Sequence, residues 1–351
     1  MTLSPVFRSQ EAVRILGRQG IWDQLSPAVR GQATAIANVQ RDLTNVIDAT
    51  FVDLNAVALV DDDAGSIEFV QEFFFLILFR SVLETLGLRP DGLALCSELN
   101  FCIKGTITAA DNLFDDQDKL FLPLKAGKGA RFRSILQLLA FERLIARSLQ
   151  RGVRQGLIST ASAECFQQEL LTRMAAIGSL EGSEEHGVAD ILEPARMIDL
   201  VHRVRGGALF ELAFVAPRLL ESGVAGDVLA RAQQAIARLG TAFQIVDDLT
   251  DFEFDLTRGS HNLLVSQITH HGSSDERRQL AGFSGAMATN GDAVIDLFAD
   301  SARAVLDLGK QQAKQALREL QALGFWLSPD VSDDFVRAIV GLDGAERLRA
   351  L

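Results

Sequence analysis

Residues 240–255 read GTAFQIVDDLTDFEFD, and the fold turns on this stretch. Folded as a helix, it sets Asp247 and Asp251 four positions apart and so on one face. Ile245, Val246 and Leu249 supply an apolar flank. Residues 107–118, ITAADNLFDDQD, repeat the arrangement with Asp111 and Asp115. Carboxylates held this close repel one another and lose hydration, so each pair needs a countercharge. Hard divalent cations, Mg²⁺ above all, bind oxygen ligands and share their coordination with substrate phosphates. Two facing carboxylate pairs imply a site for a diphosphate.

The rest of the chain supports the helical reading. Of 351 residues, 48% are hydrophobic and only seven are proline. Strand-type alternation is scarce, and apolar residues recur at three and four, as in AVLDLGKQQAKQALRELQALGFWL (304–327). The expected helices lie near 10–18, 33–60, 67–87, 92–118, 131–151, 160–178, 196–222, 226–254, 276–288, 292–323 and 331–340. Breaks are expected at 61–65, 89–92, 127–129 and 179–187, with 257–262 as a loop. No linker or repeat divides the chain, so one domain over 1–351 is expected. The fold class is all-α, a single-domain bundle of about 10–13 helices around a deep apolar cavity, with metal ligands on facing helices.

A net charge of −12 and a pI near 5.0 argue against nucleic-acid binding. They do not exclude an anionic substrate, because bound metals reverse the local sign. Three cysteines, Cys96, Cys102 and Cys165, form no framework. Reduced thiols and a cytoplasmic setting are expected. The N-terminal MTLSPVFRSQEAVRIL lacks the apolar core of a signal peptide. FFFLILF (73–79), flanked by Glu72 and Arg80, is too short for a transmembrane segment. It reads as a buried helix.

At this point the residues resemble a known family. GTAFQIVDDLTDFEFD, with its leading Phe243-Gln244, resembles the second aspartate-rich motif of the trans-polyprenyl diphosphate synthases. ITAADNLFDDQD resembles the first motif of the same class I isoprenoid synthase superfamily. Arg205-Gly206-Gly207-Ala208-Leu209-Phe210-Glu211 is similar to the Lys-Thr-Gly segment between them. The resemblance is strongest over 70–265. It implies an enzyme in which three Mg²⁺ ions bridge both clusters and grip the diphosphate of an allylic prenyl diphosphate. Such an enzyme stabilises the leaving group electrostatically as its carbon–oxygen bond ionises.

Mapped through that resemblance, the metal ligands are Asp111, Asp115, Asp247, Asp248 and Asp251. Asp111, Asp115, Asp247 and Arg205 form the catalytic set. Arg203, Arg205, Gln244, Lys128, Arg131 and Arg133 bind substrate. Asn112 stands where the family usually has Asp, and Asp116 points away from the Asp111 face. Arg205 replaces the family lysine; its guanidinium forks onto phosphate oxygens where an ammonium is a point charge. The basic KAGKGARFR (125–133) reads as a phosphate clamp or a plain surface loop.

The departure lies upstream. Elongating synthases carry a Gly-Lys-Arg-x-Arg segment for a second diphosphate; here FFLILFRSVLETLG has Arg80 alone. The expected histidine before the first motif is also missing, with Lys104 nearby. One-substrate chemistry by a terpene synthase on a C15–C25 substrate is therefore the leading expectation. The substrate length rests on small residues, Thr106 to Ala110, before Asp111. The alternative is a prenyltransferase that condenses an allylic diphosphate with a second substrate. A catalytically silent interaction subunit is the third reading. A homodimer is compatible with the family.

Several features have plainer readings. Arg80 pairs with Glu84, one turn on. Glu184, Glu185 and His186 belong to a loop rather than a metal site. His270 and His271 are loop histidines at the surface. Most of the 22 phenylalanines are core.

Overall fold

In this computed structural model, residues 14, 17, 18, 20–53, 66–114, 117–125, 129–283, 297–331, 333 and 334 are described. Among them the chain is all-α, as expected. The one extended pairing is an isolated antiparallel bridge between Val52 and Leu124. The described residues cluster into two compact units. One is built on Trp22–Leu170 and Leu212–Leu229, the other on Leu171–Glu211 and the chain from Ala230.

In the first unit, α1 (Ile21–Asp42) begins earlier than the expected helix 33–60; of the expected helix 10–18, residues 14, 17 and 18 are helical and the others lie outside the described residues. The Ser26-Pro27 pair suggests a break, yet Pro27 lies inside the helix. A proline there removes one backbone hydrogen bond. Burial of Leu25, Ala28, Val29, Ala33 and Ile36 offsets that loss. Beyond Asp42 the chain makes two 3₁₀ turns, Leu43–Asn45 and Ala49–Phe51, instead of continuing as helix. Helix α2 (Ile67–Thr85) holds FFFLILF and kinks at Phe73. Phe74, Leu76, Ile77, Leu78 and Phe79 are buried, as the sequence reading requires.

Helix α3 (Pro90–Phe114) is the centre of this unit. Every residue from Leu95 to Ile103 is buried, so the helix is covered all round. It packs on α4 (Ala130–Arg154), where Phe101 and Phe141 meet edge to face at 5.8 Å. α5 (Thr160–Ser183) follows.

The second unit takes up a helical run in three segments. α6 (Pro194–Met197) passes into a π-helix (Ile198–Ala208), which ends in α7 (Leu209–Glu211). α8 (Val215–Leu220) belongs to the first unit. α9 (Gly226–Thr250) carries the second acidic motif. The expected helix 226–254 breaks at Asp251, and α10 (Phe252–Arg258) begins beyond it. Residues 257 and 258, expected in a loop, close α10.

α11 (Leu263–His271) has no counterpart among the expected helices. Asn262 caps it by accepting hydrogen bonds from the backbone N–H of Leu264 and Val265. His270 and His271 therefore end a helix rather than lie in a loop, and His270 Nε2 is 2.9 Å from the Ile191 carbonyl oxygen. α12 (Ser274–Gly282) starts with a reciprocal Ser273–Glu276 cap. α13 (Ala299–Gln321) packs its Gly309 against Ile245 and Val246 of α9.

Candidate functional site

The second motif is built on a close crossing. A Cβ on Gly206 would meet the Gly240 carbonyl carbon and Gln244 Cβ at 2.8 Å, and the Gly240 oxygen closer still. A Cβ on Gly240 would likewise meet Gly206 and the Phe210 ring. Only glycine at both positions lets the backbones of the π-helix and α9 touch. The crossing sets Arg205 beside the motif carboxylates, and Phe210 stacks on Phe243 next to it at 6.2 Å.

Asp247 is half-buried on α9. Its carboxyl is pushed well above the usual range, first by loss of hydration and then by Asp251, Asp248 and Asp255, against the pull of Arg205. Gln244 reaches both neighbours, with Nε2 3.4 Å from Asp247 Oδ2 and 3.5 Å from Asp248 Oδ1. Asp251 is exposed at the helix break.

Asp248 points inward. Its Oδ2 accepts from the Leu263 N–H at 2.5 Å and lies 2.8 Å from His202 Nε2. His202 is fully buried, and its Nδ1 faces the Met197 carbonyl oxygen at 3.2 Å. Both ring nitrogens thus face oxygens. Asn262 donates to the Asp248 carbonyl oxygen at 2.7 Å and to Asp255 Oδ2 at 2.9 Å. Asp248 thus ties the motif to the turn that follows it.

Sequence reasoning missed Asp255. Burial, followed by Asp248, pushes its carboxyl up to about 7, with Asn262 opposing. The signal was present: Asp255 falls four residues after Asp251 in the same acidic run.

Arg205 is not solvent-facing. Its Nε is 2.9 Å from Glu181 Oε1 and its Nη2 is 2.7 Å from Glu184 Oε2. Burial alone would lower its pKa, but Glu181, Glu184 and Asp248 together raise it. Glu184, buried just after α5, also accepts from the His261 backbone N–H at 3.0 Å. Glu184 is thus an ion-pair partner, as its loop position without a metal role allows. Arg203 is exposed and pairs with Asp199 at 3.3 Å, one turn away.

The first motif lies in the other unit. Asp111 is exposed near the end of α3; Asp115 and Asp116 lie outside the described residues. Asn112 is buried. Its Oδ1 accepts from the Lys119 N–H at 3.2 Å, and its Nδ2 donates to the Lys119 carbonyl at 2.9 Å. An aspartate could make only the first bond, which explains an amide in this place. Gln137 of α4 completes the clamp: Nε2 donates to the same carbonyl, and Oε1 accepts from the Phe121 N–H, both at 2.9 Å.

Lys104, two turns before Asp111, donates to the Glu72 carbonyl oxygen at 3.2 Å and lies 4.5 Å from the Phe121 ring centre. Burial lowers its pKa to about 8, with Glu72 opposing. In the basic segment, Arg133 grips Asp118 through two nitrogens and Arg131 is exposed; Lys128 lies outside the described residues. Arg80 Nε meets Glu84 at 2.9 Å and Nη1 meets Ser97 at 2.8 Å. The expected Arg80–Glu84 pairing is present.

The crowded, oxygen-only donors of the second motif fit a hard divalent cation in kind. Among the described residues, no three His, Cys, Asp or Glu side chains are grouped to hold a metal ion. No helix of the described residues is long and apolar enough to cross a membrane.

These helices, in this order, form the all-α fold of the trans-polyprenyl diphosphate synthases. A geranylgeranyl pyrophosphate synthetase from Pyrococcus horikoshii matches with TM-score 0.59 and 14% identity, over 90% of this chain and 97% of its own. A polyprenyl synthetase from Streptomyces coelicolor matches with TM-score 0.58 and 17% identity, over 89% and 96%. A polyprenyl synthase from Caulobacter crescentus, complexed with calcium and isoprenyl diphosphate, matches with TM-score 0.59 and 18% identity, over 93% and 98%. At these identities the likeness establishes the fold. No protein-family profile matches the sequence, and no curated protein matches it.

Proposed function

We propose that this protein is a Mg²⁺-dependent class I isoprenoid synthase that acts on an allylic prenyl diphosphate as a polyprenyl diphosphate synthase. The observation that carries the reading is the carboxylate cluster of Asp247, Asp248, Asp251 and Asp255 beside Arg205. It sits in a fold whose similar structures are such synthases, one of them holding isoprenyl diphosphate. The order of the two catalytic readings of the sequence is thereby reversed.

In this reading Asp111 and Asp115 from the first motif, with Asp247 and Asp251 from the second, hold the cations. Bound Mg²⁺ supplies countercharge for the carboxylates and for the diphosphate leaving group. Gln244 orients Asp247. Asp248, tied to His202 and Leu263, positions the motif helix. Arg205 lends positive charge to the cluster, and Arg131 with Lys128 supplies further cations for phosphate oxygens. Three ions and a homodimer are the family's arrangement, carried here as part of the proposal. So is one continuous domain.

The terpene synthase reading keeps one specific support. Arg80 stands alone where a second diphosphate needs several cations, and Glu84 and Ser97 already engage it. Incubation with geranyl, farnesyl and geranylgeranyl diphosphates, with and without isopentenyl diphosphate, decides between the readings. A longer diphosphate made only with isopentenyl diphosphate is the expected result. A hydrocarbon or alcohol from one substrate establishes the terpene synthase instead. No turnover under any condition favours the silent subunit. Asp247→Ala is expected to abolish Mg²⁺-dependent diphosphate release; release at the wild-type rate removes Asp247 from the metal set.

A further inference from the structure

A concave site lies on the α9–α13 face of the second unit, lined by none of the residues of the acidic cluster. It is a hollow of about 440 Å³. Lys310, Lys314 and Arg318 follow one another at four-residue spacing along α13, and so share a face. Arg238 of α9 faces them, donating to Gln312 at 3.1 Å. Arg238 precedes Asp247 by nine residues, roughly 13 Å along a helix axis.

The lining holds four cations against two carboxylates, Asp307 and Asp333, in a chain of net charge −12. Lys314 is paired with Asp333 at 3.1 Å, and Arg238 is 3.5 Å from Glu319. Lys310 and Arg318 have no side-chain partner among the described residues. A row of lysines and arginines on a helix is ordinarily a solvated face. Here the row is concave, a fourth cation closes it from another helix, and Lys310 and Arg318 make no ion pair among the described residues, against one unpaired lining carboxylate, Asp307.

We propose that this hollow is an anion site that takes a diphosphate group without a metal ion. These two cations two turns apart, with Lys314 between them, suit a ligand bearing more than one phosphate charge better than a single orthophosphate. Arginine adds paired hydrogen bonds to phosphate oxygens, and lysine adds a point charge. Recognition rests on the headgroup, because the lining is polar throughout the cationic row. The site is independent of the activity proposed above: it requires neither Mg²⁺ nor Asp247.

The test is calorimetric titration of the full-length protein in EDTA at low salt, with inorganic diphosphate, orthophosphate and farnesyl diphosphate as separate probes. Inorganic diphosphate is expected to bind more tightly than orthophosphate. Lys310→Gln and Arg318→Gln are each expected to weaken it several-fold, and the double variant at least tenfold. Both positions are on the surface of α13, and circular dichroism checks that the variants fold. Asp247→Asn is expected to leave this metal-free affinity within twofold. Farnesyl diphosphate binding no more tightly than inorganic diphosphate supports headgroup recognition. The proposal is overturned by absence of metal-free binding, by equal affinity for orthophosphate, by an unchanged double variant, or by loss in Asp247→Asn. It is also overturned if farnesyl diphosphate binds tightly with no response to the two substitutions. Loss of Mg²⁺-dependent diphosphate release in Asp247→Ala is scored separately, so either idea can fail alone.

Discussion

Replacing Gly206 by alanine adds one methyl group at the place where two backbones touch. Ordinary van der Waals contact for a Cβ begins at 3.4 Å, and the added carbon would stand 2.8 Å from Gln244 Cβ and the Gly240 carbonyl carbon. Both obstacles sit on α9 backbone or at the root of a side chain, so no flexible tip can yield. The π-helix and α9 must part by at least about 0.6 Å, the difference between those distances. Forced overpacking of this kind costs about 1–3 kcal/mol. The parting also displaces Arg205 from Asp247, and a misplacement near 1 Å can lower a rate by about 100-fold. Gly178 provides the control: it lies in α5, where an added Cβ meets nothing within 4 Å, so alanine there should stabilise by about 0.5–1 kcal/mol. Urea denaturation reads the first effect and Mg²⁺-dependent diphosphate release reads the second. Wild-type stability and rate in Gly206→Ala would refute the close crossing as the device that sets the site.

Restoring the family aspartate, Asn112→Asp, should destabilise the protein by about 1–3 kcal/mol, because a buried carboxylate would lose the donor to the Lys119 carbonyl and face that oxygen, which keeps only Gln137. An unchanged denaturation midpoint would show that the clamp contributes nothing. For Asp255, the folded pKa of about 7 exceeds the ordinary value of 3.8. Between those values the folded protein keeps a proton that the unfolded chain has lost. The contribution of Asp255 to metal-free stability should therefore be fully present near pH 4 and be lost as pH rises toward 7. Asp255→Asn should flatten that decline in urea midpoints measured from pH 4 to 8; an equal slope in the variant counts against it.

The all-α class and the two acidic motifs were legible because helical spacing and charge crowding are local properties. Arg80 with Glu84 was legible for the same reason, being one turn apart. The inward turn of Asp248 was not, since it depends on His202 and Leu263, which come from other segments. The helix over 263–271 was missed because it is only nine residues long and lies between the expected 257–262 loop and Gly272, too short for a clear apolar period. The roles of Glu181 and Glu184 escaped notice because their partner, Arg205, lies in a later segment. The sequence around 184 shows only a glycine-bracketed acidic run.

The π-helix over Ile198–Ala208 has a genetic consequence. Its wide turns hold more residues per revolution than an α-helix, so the segment is already out of register with the helix that enters it. An in-frame loss of one codon between 198 and 204 could be absorbed by rewinding to α geometry. Each residue of an α-helix turns the chain by about 100°. Rewinding takes out the extra residue of the wide turn, so Arg205 would keep nearly its present face toward Glu181 and Glu184. A one-codon deletion here would thus spare both the fold and the charge, whereas the same deletion inside an α-helix turns every later side chain away from its partners.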